Sequence, residues 1–209
     1  MKKTLFLSID DLQAAPLAQE IISSGGLIAF PTDTIYGLAC DPWNEQAILA
    51  LYEAKQRPPE KAIPVLIGDM DQLGLVTSHV SPKAFHLASL FWPGALTILL
   101  QKIDSLPPAL SQYPSVGIRM PGHPALLSLL KATGPLATTS ANLSGSANLV
   151  SANDVFVQFA GRIDMVLNGG ETAGDMASTV VDCTGEDLVI IRQGPIAAGE
   201  LLSAWNGFA

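Results

Sequence analysis

The chain has 209 residues, of which 48% are hydrophobic and 14% are charged, a composition typical of a folded domain rather than of a disordered segment. Its net charge of −8 excludes the broad basic surface of a protein that wraps a phosphate backbone, so an anionic ligand should bind in a local pocket. The apolar runs fall far short of the roughly 20 residues that a membrane-spanning helix needs, and we expect a cytoplasmic protein with no membrane partner.

The predicted elements alternate between helices and strands along the chain. A 3.6-residue apolar period predicts helices over 8–24, 44–55, 81–90, 123–133 and 153–160, with a short helix in the tail 195–209. Short apolar runs predict strands at 27–30, 63–67, 96–101, 116–119, 136–139, 165–167, 179–182 and 188–192. This order predicts an α/β fold in which helices flank a mixed sheet. We expect a single domain, with a core over about 8–196 and a tail over 197–209.

The two cysteines, Cys40 and Cys183, lie far apart and lack the spacing of metal ligands. They predict buried free thiols, without a zinc site or a disulfide. No metal-ligating side chains are predicted elsewhere in the sequence.

Three of the four arginines stand at the predicted end of an element beside proline or glycine. These are Arg57, Arg119 and Arg192. A guanidinium group held by such restricted backbone can make bidentate contacts to a phosphate or a carboxylate. For any one of them, a solvated surface arginine is the competing interpretation.

Lys55, Arg57 and Lys61 form a basic cluster in an otherwise acidic chain. Three neighbouring cations repel one another unless an anion or solvent lies between them, and a triphosphate is a natural small partner for such a cluster. A solvated charged turn is an equally acceptable interpretation of this segment alone.

A loop rich in small polar residues, 138–145, follows a predicted strand. Its hydroxyl and amide groups suit either a ligand at the carboxyl edge of a sheet or a turn and helix cap. Neither a P-loop nor a dinucleotide fingerprint occurs. The histidines lack an obvious nucleophile partner, and His123 is predicted to begin a helix rather than to act as a base.

Taken together and in order, these motifs resemble the YrdC family of threonylcarbamoyl-AMP synthases in its short, single-domain form. Residues 31–38, P-T-D-T-I-Y-G-L, are similar to the family's N-terminal signature. Lys55 and Arg57 match its K-x-R motif, and Ser140 and Asn142 match its S-x-N motif. Segments around Arg119, Ser178 and Arg192 extend the resemblance to about residue 196.

The resemblance implies a twisted mixed sheet with a large concave basic cavity that holds ATP and L-threonine side by side. It implies that bicarbonate and threonine form N-carboxythreonine, which attacks the α-phosphorus of ATP and expels pyrophosphate. Mg²⁺ would bind through the phosphates. The product would pass to a tRNA-modifying transferase complex that makes N6-threonylcarbamoyladenosine.

The resemblance also implies roles for individual residues. Contacts to threonine would come from Thr34, Arg119, Ser140 and Ser178. Contacts to ATP would come from Lys55, Arg57, Lys61, Ser115, Asn142, Val150 and Arg192. Lys55 and Arg57 would act catalytically by neutralising charge as pyrophosphate leaves. Leu66 stands where long relatives carry a histidine, and 147–150 replaces the Pro-Ser-Pro-Thr segment usual in the family.

Three other interpretations stay open at this point. The first is a module that binds RNA, weakly because of the net charge, without synthase turnover. The second is a relative whose activity has drifted, for example toward carbamoyl transfer in hydrogenase maturation. The third is an α/β domain of unknown role.

Overall fold

The structure is a computed structural model that describes residues 3–58, 61–174 and 176–208. Its strands are β1 (Leu5–Ser8), β2 (Ile28–Phe30), β3 (Gly37–Cys40), β4 (Val65–Leu66), β5 (Thr77–His79), β6 (Leu96–Lys102), β7 (Ser115–Arg119), β8 (Leu136–Ser140), β9 (Met165–Asn168), β10 (Thr179–Asp182) and β11 (Val189–Arg192). Its α-helices are α1 (Ala14–Ser23), α2 (Glu45–Lys55), α3 (Pro82–Phe91), α4 (Pro124–Thr133), α5 (Ala152–Phe159) and α6 (Ala198–Asn206). A 3-10 helix spans Met70–Leu75.

The strands form one mixed sheet in the order β1-β9-β2-β3-β8-β4-β7-β6-β10-β11, with β5 paired to β6. The sheet contains parallel pairs, such as β1 with β9 and β4 with β7, and antiparallel pairs, such as β3 with β8 and β6 with β7. The predicted fold class, a mixed sheet flanked by helices, is confirmed.

Successive side chains along each strand point to opposite faces of the sheet and therefore pack into different layers. In β8, Ala137 packs into the larger apolar core and Leu136 into a smaller one on the opposite face. The smaller core lies under α1 and α4, which cover β1, β9 and β2. The larger core lies under the remaining helices.

The face that carries the smaller core is uncovered beyond β4. In β6 and β7, every second residue packs into the larger core, as Ile98 and Ile118 do. The residues between them point to the opposite face, where Thr97 and Gly117 line a cavity. The cavity therefore lies on the open half of an otherwise covered sheet.

The prediction was wrong in three short strands and one helix start. β1, β3 and β5 were not predicted; β3 begins with glycine and β5 has the polar sequence Thr-Ser-His, which weakens the strand pattern of both. The first helix begins at Ala14 rather than at Ser8, which ends β1. Leu12 is accordingly 91% exposed instead of belonging to the buried stripe.

The other predicted elements are confirmed within about two residues at most ends. Asn44 and Ser81 cap their helices by accepting hydrogen bonds from backbone N–H groups, and His123 does so through Nδ1 at the start of α4. Both cysteines are buried free thiols. Within the described ranges, no helix combines the length and apolar character needed to cross a bilayer.

Candidate active site

The open half of the sheet forms a cavity of about 370 Å³. Residues with hydroxyl groups line much of it, namely Thr32, Thr34, Thr97, Thr138, Thr139, Ser140 and Ser178. Three arginines also line it, namely Arg57, Arg119 and Arg192, and no carboxylate does so among the residues described. The apolar part of the wall includes Ile35, Pro64, Leu66, Leu99, Val180 and Ile191. This lining suits an anion that carries both polar and apolar groups.

Arg119 ends β7, and its buried guanidinium is held at three points. Nε donates to the carbonyl oxygen of Gly94 (3.0 Å), Nη1 to Oγ1 of Thr34 (3.1 Å) and Nη2 to Oδ1 of Asp33 (2.5 Å). Burial lowers the pKa of Arg119, an effect that Asp33 opposes and Arg192 reinforces. These three bonds use three of the five N–H groups of the guanidinium, which leaves donors for a ligand carboxylate.

Thr32 organises the turn between β2 and β3. Its Oγ1 accepts hydrogen bonds from the backbone N–H groups of Thr34 (3.0 Å) and Ile35 (3.2 Å) and donates to the carbonyl of Ile35 (2.7 Å). The hydroxyls of Thr32 and Thr34 lie 2.9 Å apart, and either oxygen could be the donor in that contact. The hydroxyl of Thr34 also accepts from Nη1 of Arg119, and Thr34 lines the cavity.

Arg192, at the end of β11, donates hydrogen bonds to the backbone of Ser178. Nε and Nη2 donate to the Ser178 carbonyl at 3.1 and 2.8 Å. The Ser178 hydroxyl lies 2.8 Å from Oγ1 of Thr97. Partial burial lowers the pKa of Arg192, whose positive charge in turn lowers the pKa of both Arg57 and Arg119. The charge of Arg192 thus disfavours the charged forms of both other arginines, and an anion between the three would offset this effect.

Lys55 ends α2 and is 1% exposed. Its Nζ donates to the carbonyl oxygen of Ser140 and to that of Asn142 (2.5 Å). The hydroxyl of Ser140 donates to Oδ1 of Asn142 (2.5 Å). Burial, with a smaller contribution from the charge of Arg57, lowers the pKa of Lys55 to about 7. Lys55 therefore joins α2 to the loop after β8 and lies behind the cavity wall rather than in it.

Arg57 leaves α2 after Gln56, which ends the helix with a left-handed φ of 51°. Its Nη2 donates to the carbonyl of Ala62 (3.0 Å), and its Nε lies 3.4 Å from the carbonyl oxygen of Lys61. Burial lowers the pKa of Arg57. Lys61 is exposed and contributes its backbone to this contact, while its side chain is outside the cavity lining.

Six of the residues assigned by resemblance line the cavity, namely Thr34, Arg57, Arg119, Ser140, Ser178 and Arg192. The other five do not, namely Lys55, Lys61, Ser115, Asn142 and Val150. Ser115 begins β7, and its carbonyl accepts from the hydroxyl of Ser111 (2.9 Å). The carbonyl of Val150 accepts from the N–H of Thr172 (2.8 Å).

Sequence reasoning gave no role to Asp33, Thr32 or Thr97. The first two lie inside the N-terminal signature, so the signal was present but assigned only to Thr34. Thr97 is a polar residue in an apolar run. Its position on the strand face opposite the core could have indicated that it lines a site.

Comparison with known proteins gives concordant matches. The Sua5/YciO/YrdC family model, described as "Telomere recombination", matches residues 20–194. The threonylcarbamoyl-AMP synthase of Bacillus subtilis (strain 168) is 39% identical over 93% of this chain and 57% of its own length. The crystal structure of P. abyssi Sua5 complexed with L-threonine matches with a TM-score of 0.89 and 32% identity, over 98% of this chain and 60% of that one. E. coli YciO matches with a TM-score of 0.86 and 26% identity, over 97% of this chain and 100% of that one.

The chain thus spans little more than half the length of the Bacillus subtilis synthase, and it spans the whole of the YciO chain. The family match includes every residue that lines the cavity. On this match and on the shared fold, the chain belongs to the Sua5/YciO/YrdC family.

Proposed function

We propose that the chain is an L-threonylcarbamoyladenylate synthase, a nucleotidyltransferase that uses ATP, bicarbonate and L-threonine. The observation that carries this proposal is the convergence of three arginines and several hydroxyls on one cavity, in a chain whose net charge is −8. The similarity to a named threonylcarbamoyl-AMP synthase and to a Sua5 complexed with L-threonine supports it.

Threonine would occupy the part of the cavity beside the Thr32–Ile35 turn. Arg119 has guanidinium N–H groups left after its three protein contacts and would bind the carboxylate. The hydroxyl of Thr34, which lines the cavity, would form a hydrogen bond with the hydroxyl or amino group of the amino acid. Ser140 and Ser178 line the same cavity and would complete the contacts to threonine.

ATP would lie along the side of the cavity that carries Arg57 and Arg192. Their guanidinium groups would pair with the phosphates and stabilise the charge that develops on pyrophosphate, with Lys61 approaching from outside. Lys55 and Asn142 would act on ATP through the shape of the loop after β8, which they hold together. Ser115 and Val150 would contribute backbone groups.

The proposed reaction has two steps. The threonine amine adds to the bicarbonate carbon with loss of water and gives a carbamate. A carbamate oxygen then forms a bond to the α-phosphorus of ATP while the bond from that phosphorus to the bridging oxygen of the β-phosphate breaks. Pyrophosphate departs with the electron pair, and threonylcarbamoyl-AMP remains.

Within the described parts of the chain, no group of three or more His, Cys, Asp or Glu side chains could hold a metal ion. Asp33, the carboxylate that contacts a cavity arginine, is already paired with Arg119. Mg²⁺ would therefore arrive on the phosphate oxygens of ATP, which suit it as ligands.

The product would be consumed by a tRNA-modifying transferase complex in the cytoplasm. RNA binding without turnover is the alternative function. The net charge of −8 counts against it, because affinity for a phosphate backbone depends on many cationic contacts.

The test is pyrophosphate release by the purified chain with ATP and Mg²⁺, in complete mixtures and in mixtures that lack threonine or bicarbonate. Release that requires both supports the synthase. A chain that binds RNA with a steep salt dependence and releases no pyrophosphate under any of these conditions would contradict it.

A further inference from the structure

Asp33 contacts the cavity indirectly, through Arg119. Its side chain is 17% exposed and is not part of the cavity lining. Oδ1 accepts from Nη2 of Arg119 at 2.5 Å, while the neighbouring Thr34 accepts from Nη1 of the same guanidinium. Two consecutive residues of one turn therefore bind the two terminal nitrogens of one arginine.

The third contact to Arg119 comes from a different segment. The carbonyl of Gly94 accepts from Nε, so the plane of the guanidinium is defined by acceptors on three sides. Because a guanidinium is planar, fixing its three nitrogens also fixes the directions of its remaining N–H groups. Those groups are available to a ligand in the cavity that Arg119 lines.

The backbone at Gly122 approaches the carboxylate of Asp33. A Cβ atom added at Gly122 would lie 3.3 Å from Oδ2 of Asp33 and 3.5 Å from Cα of Gly94. The segment that follows β7 therefore lies close to the Asp33 carboxylate and also close to Gly94, whose carbonyl accepts from Arg119. Thr32 stabilises the turn that carries Asp33 by accepting from the N–H groups of Thr34 and Ile35.

We propose that Asp33 is a positioning residue, which orients the Arg119 guanidinium so that its two uncommitted N–H groups meet the carboxylate of the amino-acid substrate. Asp33 accepts through Oδ1 from Nη2 of Arg119. The ligand carboxylate therefore binds the remaining N–H groups of the guanidinium while Asp33 keeps its own contact. This inference rests on the proposed function, because it takes threonine as the ligand of Arg119.

The test compares Asp33→Asn and Asp33→Glu with Asp104→Asn, a matched change of an exposed aspartate in the β6–β7 connection. Binding of L-threonine, of L-threoninol, which lacks the carboxylate, and of ATP is measured by calorimetry on the full chain. Thermal unfolding of each variant checks that the fold is retained.

Asp33→Asn is expected to weaken L-threonine binding by about 10- to 100-fold, because the charged acceptor that orients Arg119 is lost. Binding of L-threoninol and of ATP should stay within about twofold, and Asp33→Glu should recover part of the threonine affinity. In an Arg119→Lys background, which already lacks the guanidinium, Asp33→Asn should add little further loss.

Three results would overturn the inference. Unchanged threonine affinity in Asp33→Asn shows that Arg119 needs no positioning, and tighter affinity shows that Asp33 competes with the ligand. An equal loss for threonine and threoninol would show a general structural defect instead. If the unmodified chain binds ATP but not threonine, the proposed function itself fails and Asp33 has no carboxylate to position.

Discussion

Nζ of Lys55 lies 2.5 Å from the carbonyl oxygen of Asn142. The lysine of the K-x-R motif is therefore bonded to the backbone of the S-x-N motif, and through the carbonyl of Ser140 it also reaches the last residue of β8. Two segments separated by more than 80 residues in the chain meet at one buried ammonium group. Within the K-x-R motif, Lys55 thus supports the loop after β8, whereas Arg57 lines the cavity.

Replacement of Lys55 by methionine tests this support. Met fills similar space but leaves two buried carbonyl groups without their donor, which is expected to cost about 2 kcal/mol of folding free energy. Turnover should fall at least about tenfold, because Ser140 would lose its fixed position in the cavity. Urea unfolding and pyrophosphate release measure the two effects.

Lys131→Met is the matched control, since the Lys131 side chain is 57% exposed and lies 3.9 Å from its partner Asp69. It should change the free energy of unfolding by less than about 0.5 kcal/mol. A Lys55→Met variant as stable and active as this control would contradict the role of Lys55.

Stability should rise with pH because of the same lysine. Burial lowers the pKa of Lys55 to about 7, against about 10.4 in an unfolded chain. Between these values the unfolded chain binds more protons than the folded one, so the free energy of unfolding increases as pH rises. The expected gain from pH 7 to 8.5 is about 1 to 2 kcal/mol.

Burial raises the pKa of the Cys40 and Cys183 thiols, which opposes this rise at higher pH. Urea titrations should therefore stop near pH 8.5, the ordinary pKa of a thiol. Lys55→Met should lose the increase with pH, and the unmodified chain should show it. A flat profile in both proteins would mean that Lys55 keeps its charge when folded.

Gly174 passes close to the backbone of Thr34. A Cβ atom added there would lie 2.7 Å from the Thr34 carbonyl oxygen and 3.0 Å from its Cα atom. We expect Gly174→Ala to displace Thr34 and to raise the KM for threonine several-fold, with a loss of about 1 to 3 kcal/mol in stability.

Gly185→Ala provides the comparison, since an added Cβ atom there meets nothing within 4 Å. It should leave both the KM for threonine and the midpoint of unfolding nearly unchanged. Equal behaviour of the two alanine variants would show that the segment around Gly174 has room to shift.

Arg192 should not be replaceable by lysine. Its Nε and Nη2 both donate to the Ser178 carbonyl, a forked contact that an ammonium group does not reproduce. Arg192→Lys is expected to weaken ATP binding by about tenfold while retaining the charge. The exposed Arg162→Lys serves as its control, and equal ATP affinity in both variants would remove Arg192 from the ATP site.

Most elements of the fold could be predicted from local pattern, because apolar periodicity and capping residues such as Asn44 and Ser81 are local signals. β3 could not, because its four residues are stabilised by β2 on one side and β8 on the other. Pairing with distant segments leaves no trace in the sequence of the strand itself.

The candidate site was predicted as a set of motifs rather than as an arrangement. The order of the motifs along the chain identified Arg119 and Ser178 as site residues, and both line the same cavity. It could not reveal that Lys55 turns away to bind two carbonyls, or that Asp33 holds Arg119. Such contacts depend on the direction of a side chain in the folded protein, and residue spacing does not determine that direction.

The most direct test of the proposed chemistry follows the bicarbonate carbon into the product. The purified chain is incubated with ATP, Mg²⁺, L-threonine and ¹³C-bicarbonate, and the adenylate is analysed by mass spectrometry. We predict a threonine-containing adenylate that carries the label and is absent without threonine. An adenylate without the label, or ATP consumed with no threonine adduct, would contradict the synthase assignment.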